Sequence, residues 1–326
     1  MNPIRRKLLT LFPAAVVGLS RAAALAKPRA AGRTADFSVR WITLANGHKV
    51  WTQRRGSGGP TVLLLHGGPG FSHDYMDCFA DFLPDAGYEM YFYDQLGCGL
   101  SDRPDDVSLW TLPRYLQEVE EVRAALGLDR FILIGHSWGG ILGIEYALKH
   151  PRRLAAFVLS NMTASFSDFS AYTSKLKQTL PSQVQQHLLA LEKAGAEAGD
   201  EYGAILQQEL YTRYICRLAP WPAGLTHSFE VANGVIYNQM QGPNEFVITG
   251  NLASWDRWAD LPKIDVPTLV MGARYDEMDP RSIEREAHLI PGSDLFISET
   301  GSHLAMWDDQ KHYFAALLAF LMRNRR

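Results

Sequence analysis

Phe131-Ile132-Leu133-Ile134-Gly135-His136-Ser137-Trp138-Gly139-Gly140 is the stretch on which the reading of this 326-residue chain turns. Four apolar residues of strand character run into a Gly-x-Ser-x-Gly turn, and Ile141 to His150 continue in residues that a helix tolerates. A strand that turns sharply into a helix brings neighbouring backbone against the serine, so both flanking positions call for a residue without a Cβ. The same turn lifts the serine hydroxyl to the top of a sheet beside a helix N-terminus. Ser137 is therefore the candidate nucleophile. The five-residue pattern occurs in many unrelated chains, and its meaning here comes from the strand before it and the helix after it.

Working outward, short β-rich runs recur at Phe37 to Leu44, Lys49 to Gln53, Thr61 to Leu65, Tyr88 to Tyr93 and Ala156 to Ser160. Asn46-Gly47 between the first two marks a hairpin. From Thr61 onward strands alternate with helical patterns at Leu112 to Leu126 and Trp138 to Lys149, which predicts βα units and a largely parallel sheet. The unbroken apolar runs Val62-Leu63-Leu64-Leu65 and Phe131 to Ile134 suit strands covered on both faces. Near Met162 the pattern changes to polar, Gln- and Ala-rich helical stretches with aromatic and Pro clusters, and strand character resumes only at Pro267 to Gly272 and Asp294 to Ser298. The predicted organisation is an α/β core from 35–161 and 261–326, interrupted by a helical insertion over 162–260 that caps it.

A serine hydroxyl needs a base to take its proton, and the base needs a carboxylate to hold its tautomer. In a sheet of this kind the acid is expected after a late strand and the histidine after the next one. Asp276 meets the first condition in Gly272-Ala273-Arg274-Tyr275-Asp276-Glu277, and His303 the second in Thr300-Gly301-Ser302-His303. The competitors are weaker: Asp279 precedes Pro280 as a helix cap would, His312 falls inside a helical pattern, and the His136 side chain is expected to leave the elbow in another direction. Asp256 is the alternative acid if the late strand is misread. Acyl transfer also needs donors aimed at a developing oxyanion. The Trp138 backbone amide supplies one, and Gly68, in His66-Gly67-Gly68-Pro69-Gly70 directly after the Thr61 to Leu65 run, is the candidate for the second.

Other chemistries lack their marks. The chain has no Gly-x-x-x-x-Gly-Lys phosphate loop, no His-Glu-x-x-His and no Gly-x-Gly-x-x-Gly after a strand. Its three cysteines, Cys78, Cys98 and Cys216, fit neither a zinc site nor a redox pair. The N-terminus carries Arg5-Arg6-Lys7, an apolar run from Leu8 to Leu19 and a small-x-small signal at Ala24-Leu25-Ala26, which together predict an export leader over 1–26, twin-arginine-like, with a periplasmic destination; a cytoplasmic protein is the alternative if the leader does not function. The run is too short to span a bilayer and is broken by Pro13 and Gly18, so no stable membrane insertion is expected once the leader is cut. The leader holds four cations and no acid, so its loss takes the formal charge from −3 to −7. A protein that acidic, with no clustered Lys/Arg run, is not expected to bind nucleic acid.

With these residues in place, the chain from about Phe37 to its C-terminus resembles the prolyl iminopeptidase family of α/β-hydrolases. The motifs that carry the resemblance are His66 to Gly70, Asp94-Gln95-Leu96-Gly97-Cys98-Gly99-Leu100-Ser101-Asp102, Gly135 to Gly140 and Gly242-Pro243-Asn244-Glu245-Phe246; the second departs from the family where Leu96 replaces the usual Arg. The resemblance implies an α/β-hydrolase fold with an inserted helical cap and removal of an N-terminal residue, often proline, from peptides without a metal or organic cofactor. It also implies that Glu245 and Glu277 anchor the substrate's free amine. On residue type alone both could be ordinary solvated glutamates. An amidase or esterase acting on small amides or esters of amino acids, and a non-catalytic binding protein on the same scaffold, are the alternatives.

Overall fold

The computed structural model describes residues 37–325. The predicted export leader lies outside the described residues. Eight strands form one sheet: β1 (Phe37–Thr43), β2 (Lys49–Arg55), β3 (Thr61–Leu65), β4 (Glu89–Tyr93), β5 (Phe131–His136), β6 (Leu154–Ser160), β7 (Thr268–Tyr275) and β8 (Asp294–Ser302). Their spatial order is β1-β2-β4-β3-β5-β6-β7-β8. The first two junctions are antiparallel and every pairing from β4–β3 to β7–β8 is parallel. The β1–β2 hairpin closes through Leu44 N–H to His48 C=O at 2.8 Å, with Gly47 at φ 87° as the Asn46-Gly47 turn requires.

Period-two alternation sorts the central strands between two cores. Leu63, Leu65, Phe131, Leu133, Phe157 and Leu159 enter the cluster on one face, while Val62, Leu64, Ile132, Ile134, Ala156 and Val158 enter that on the other, all at most 1 % exposed. This is why these runs are apolar throughout rather than alternating. At about 1.5–3 kcal/mol for each fully buried aliphatic side chain, the central strands form a rigid platform for whatever is mounted on their carboxyl ends.

Helices α1 (Leu112–Leu126) and α2 (Trp138–Lys149) have the bounds the periodicity predicts. Between β6 and β7 the described chain contributes no strand to the sheet; it forms α3 (Phe166–Gln178), α4 (Ser182–Lys193), α5 (Asp200–Leu206), a π-helical turn over Gln207–Tyr211, α6 (Thr212–Tyr214), α7 (Ala223–Glu230) and α8 (Gly234–Met240). The chain then returns through β7, α9 (Pro280–Leu289), β8, α10 (Ala305–Asp308) and α11 (Gln310–Arg323). Strands β7 and β8 run three and four residues beyond the stretches that identify them. Their polar ends still pair, Tyr275 with Ser302, across an irregularity between Ala273 and Tyr275. Asp276 and His303 are consequently the first residues after their strands. No helix among the described residues is long and apolar enough to cross a membrane.

Candidate active site

Ser137 sits between the last residue of β5 and the first of α2 at φ 55°, ψ −128°, a conformation that side chains seldom adopt. Its amide donates to Ser160 C=O at 3.0 Å, and its own carbonyl accepts the first bond of α2 from Gly140 N–H at 2.6 Å. The turn is so tight that a Cβ on Gly135 would stand 2.1 Å from Gly139 C=O, and one on Gly139 would stand 2.1 Å from Leu65 C=O. Both flanking glycines are thus required by contact, as the pattern predicts.

Across the cavity, His303 is held by its backbone amide, which donates to Tyr214 C=O at 2.9 Å, and by its ring, whose Nδ1–H donates to Asp276 Oδ1 at 2.8 Å. Asp276 is fully buried, and its two oxygens accept further bonds from Met278 N–H at 3.1 Å and from Asn161 Nδ2–H at 2.7 Å. Three donors satisfy the carboxylate as an anion, which fixes the imidazole with its proton on Nδ1 and its Nε2 lone pair turned away from Asp276. Asn161 has φ 53°; it and Ser137 are the two non-glycine residues with positive φ among the described residues, and both are at this site. Asp279 caps α9 by accepting from Arg281 N–H, and Asp256 pairs in an isolated bridge with Ser165, so neither competes with Asp276.

The loop after β3 faces the elbow. Gly68 is at φ 112°, a backbone conformation that only glycine adopts freely, and it lines the same cavity as Ser137. Trp138 is the first residue of α2, so its amide has no acceptor within that helix. Gln95 clamps the two segments together. Its Nε2–H donates to His66 C=O at 3.0 Å, its Oε1 accepts from the Trp138 indole at 2.8 Å, and its amide donates to His66 Nε2 at 3.0 Å. Burial holds His66 below the usual imidazole range, so it is neutral, with Nδ1–H donating to Gly67 C=O at 2.9 Å.

Ser137, His303, Gly67, Gly68 and Glu245 line one cavity of about 340 Å³, together with Phe71, Phe229, Leu225 and Ile215. Glu245 comes from the loop after α8, where Asn244 accepts from Phe246 N–H at 2.9 Å and donates to Glu197 C=O at 3.0 Å, pinning the turn. Its carboxylate accepts from Gln241 Nε2–H at 3.4 Å. Burial pushes Glu245 above the usual carboxylate range, against the downward pull of Tyr237 and His303. Glu277 is fully buried at the Nε2 edge of His303, with Oε1 3.7 Å from that nitrogen, and neither of its oxygens has a hydrogen-bond partner among the described residues. Burial first, then the nearby charges of Glu245 and Asp276, push Glu277 well above the ordinary range. A second cavity of about 640 Å³, including its open mouth, shares Phe71, Phe229 and Glu245 and adds Tyr211 and Tyr237.

One placement differs from the sequence-based expectation. His136 does not leave the site; it lines the cavity and packs against His303 with ring centroids 4.8 Å apart. The β5 strand continues through His136, so its side chain follows the alternation of Ile132 and Ile134 to the face on which His303 sits. Asn161 and Tyr75 carry no motif of their own, and Gln95 stands in the Asp94 to Asp102 motif without a role assigned to it. The one legible signal is Asn161 immediately after a strand, since asparagine tolerates positive φ better than other side chains.

A nucleophile elbow, an imidazole paired with a buried acid and a mostly parallel eight-stranded sheet define an α/β-hydrolase. The family model for the alpha/beta hydrolase fold matches residues 60–310. A proline iminopeptidase of Flavobacterium johnsoniae is 42 % identical over 277 residues, covering 84 % of this chain and 93 % of its own. Among solved structures, VinJ superposes with a TM-score of 0.83 at 31 % identity over 88 % of this chain and 98 % of its own. The Mycobacterium smegmatis proline iminopeptidase gives 0.81 at 29 % identity over 88 % and 99 %. The chain belongs to the proline iminopeptidase family.

Proposed function

We propose that the protein is a serine aminopeptidase that releases an N-terminal residue, proline in the first instance, from peptides through an acyl-enzyme on Ser137. The observation that carries this reading is the shared cavity: a strained serine, the imidazole paired with Asp276 and the carboxylate of Glu245 all front one space. In this reading the helical segment 162–260 is a cap over the core, and it contributes Glu245 to the wall. His303 Nε2 takes the Ser137 proton as Oγ attacks the scissile carbonyl, and the Gly68 and Trp138 amides stabilise the oxyanion. His303 then gives the proton to the leaving amine, and the shortened peptide departs. Water activated by the same imidazole hydrolyses the ester.

The free N-terminal ammonium is bound between Glu245 and Glu277, where exclusion of water strengthens a charge-assisted contact. Without substrate the two acids are crowded, and a proton shared by the pair relieves their repulsion. The apolar faces of Phe71 and Phe229 receive the ring of the N-terminal residue. For the export leader, the reading rests on Arg5 to Ala26, and N-terminal sequencing of the protein from its source, with a start at 27 expected, tests it.

The deciding experiment treats the purified protein with a fluorophosphonate and maps the adduct, then compares prolyl, alanyl and leucyl arylamides with their N-acetylated counterparts and with simple acyl esters. An adduct on Ser137 and turnover confined to free-amine substrates are expected. Equal turnover of blocked substrates would instead describe an amidase or esterase, and no adduct on folded protein would describe a binding protein.

A further inference from the structure

We infer that Tyr75 and His136 form a positioning bridge beneath Ser137 that fixes the oxyanion loop and the backbone of His303 relative to one another. This inference rests on the Ser137–His303–Asp276 reading above and deepens it.

The bridge consists of three hydrogen bonds in series. Gly67 N–H donates to the Tyr75 hydroxyl at 2.6 Å, that hydroxyl meets His136 Nδ1 at 3.0 Å, and His136 Nε2 meets His303 C=O at 2.9 Å. Their direction follows from chemistry. A carbonyl can only accept, so His136 carries its proton on Nε2. His136 is buried, and burial followed by its neighbour His303 holds it well below the usual imidazole range, so it is neutral and has one proton only. Nδ1 is then an acceptor, and Tyr75 O–H must be its donor while the Tyr75 oxygen accepts from Gly67. Every link runs the same way, from the residue before Gly68 to the residue that carries the base. Aligned bonds of this kind polarise one another in a low-dielectric interior.

The path is buried and held by contacts on both sides. Tyr75 is buried, its backbone carbonyl accepts from the Trp307 indole at 2.6 Å, and its ring packs against His136 at 5.3 Å between centroids. A Cβ added to Gly67 would come within 2.9 Å of Ser137 Cβ and 3.0 Å of the Tyr75 hydroxyl, so the loop, the nucleophile and the bridge are in mutual contact. His136 takes no proton in the reaction, and its neutrality spares the imidazolium of His303 a like charge across the 4.8 Å between their rings. Removing the Tyr75 oxygen orphans two groups at once: the buried Gly67 amide and His136 Nδ1. The imidazole is then free to move its proton to Nδ1, which breaks the bond to His303 C=O.

The test uses Tyr75→Phe, His136→Asn and the double variant with a prolyl arylamide, with rates expressed per active site titrated by a fluorophosphonate and Ser137→Ala measured alongside. Because small displacements of reacting groups cost about a hundredfold, kcat is expected to fall about ten- to a hundredfold in each single variant with KM within about threefold. The double variant should be little worse than either single one, since one broken link disables the series. A Tyr75→Phe enzyme with kcat within twofold of wild type, or losses that multiply in the double variant, overturns the inference. So does a loss of thermal stability with the rate per titrated site unchanged. If His136→Asn does not fold, Tyr75→Phe decides alone, since it deletes one oxygen and keeps the ring. Activity retained in Ser137→Ala would sink the catalytic reading and the bridge together, whereas an inactive Ser137→Ala beside a fully active Tyr75→Phe would sink the bridge only.

Discussion

Replacing Glu245 with Gln isolates the contribution of charge from that of shape, because the amide is isosteric and can still meet Gln241. The carboxylate is on the cavity wall, and burial already pushes it toward protonation, so on the proposed reading its charged form is the one a bound ammonium stabilises. Removing one partner of a buried, hydrogen-bonded charge pair costs about 2–5 kcal/mol, which is about 30- to 4,000-fold in an equilibrium constant. The expected result is a loss of that size in kcat/KM for prolyl arylamides and almost none for the residual hydrolysis of uncharged acyl esters. The pH dependence gives a second arm. Both Glu245 and Glu277 have raised proton affinity in the free enzyme, so as pH falls through their shared titration the ammonium must displace a proton to bind. KM for the wild type should therefore rise on acidification by up to about tenfold per pH unit, one proton released for each amine bound, before any loss of circular dichroism signal. In the Gln variant that slope should flatten. Stopped-assay kinetics from pH 4 to 8 on both substrates check this, and an equal loss on free-amine and uncharged substrates would refute the amine-anchoring argument.

Three further outcomes follow from the geometry. Ser137→Gly should abolish activity yet stabilise the fold by about 1 kcal/mol, because it relieves a φ of 55° that glycine adopts without strain; differential scanning calorimetry reads this as a Tm a few degrees higher. Asn161→Ala removes a donor to Asp276 and places a Cβ residue without a polar side chain at φ 53°, so kcat should fall about tenfold or more and unfolding should be easier by about 1–3 kcal/mol in urea. The buried His73–Asp94 pair, 2.8 Å apart, gives a pH window for stability. For His73, burial pulls downward but Asp94 outweighs it and raises proton affinity above the ordinary 6.5, so its contribution is complete below pH 6.5 and lost as pH rises through the folded-state value. For Asp94, burial pulls upward but His73 outweighs it and lowers the carboxyl below 3.8, so its contribution is present above pH 3.8 and lost as pH falls through the folded-state value. His73→Phe should then cost about 3–5 kcal/mol near pH 6 with the gap to wild type narrowing toward both extremes, as urea midpoints would show.

Most of the sheet was legible because its signals are local. Val62 to Leu65 and Phe131 to Ile134 are apolar in every position since both faces of the sheet are covered, and Gly135 is fixed by a contact with Gly139 four residues on, although Gly139 itself meets Leu65 on the neighbouring strand. Asp276 and His303 could be placed by their order after late strands. The polar ends of β7 and β8 were not legible, because only pairing with one another makes Arg274-Tyr275 and Thr300 to Ser302 into strands. The same is true of His136 and Asn161: their importance comes from contacts with residues 167 and 115 positions away, which no spacing along the chain encodes. Glu277 was named through family resemblance, and its full burial without a partner could not have been read from a polar segment that begins with a charged Arg274.

The end of β6 ties these pieces into one device. Ser160 C=O receives the Ser137 amide, and the next residue, Asn161, reaches Asp276, so the nucleophile and the acid that orients the base hang from consecutive residues at the carboxyl end of a central strand, the last of β6 and the one after it. The Ser160 hydroxyl donates to Asn161 Oδ1 at 2.7 Å, which orients the amide so that its Nδ2–H faces the carboxylate. The two strained backbone positions are thus the two that must be exact, and they stay in place because β6 is covered on both faces and paired on both edges. Glu245 belongs to a different part of the chain, on a turn pinned by Asn244 rather than on the sheet. On the proposed reading, chemistry is mounted on the strands, and selection for a charged amine on the segment between β6 and β7 that carries Glu245. Substitutions in the Gly242 to Phe246 turn should accordingly change which substrates are accepted while leaving the reaction of Ser137 with an uncharged phosphonate at close to its original rate.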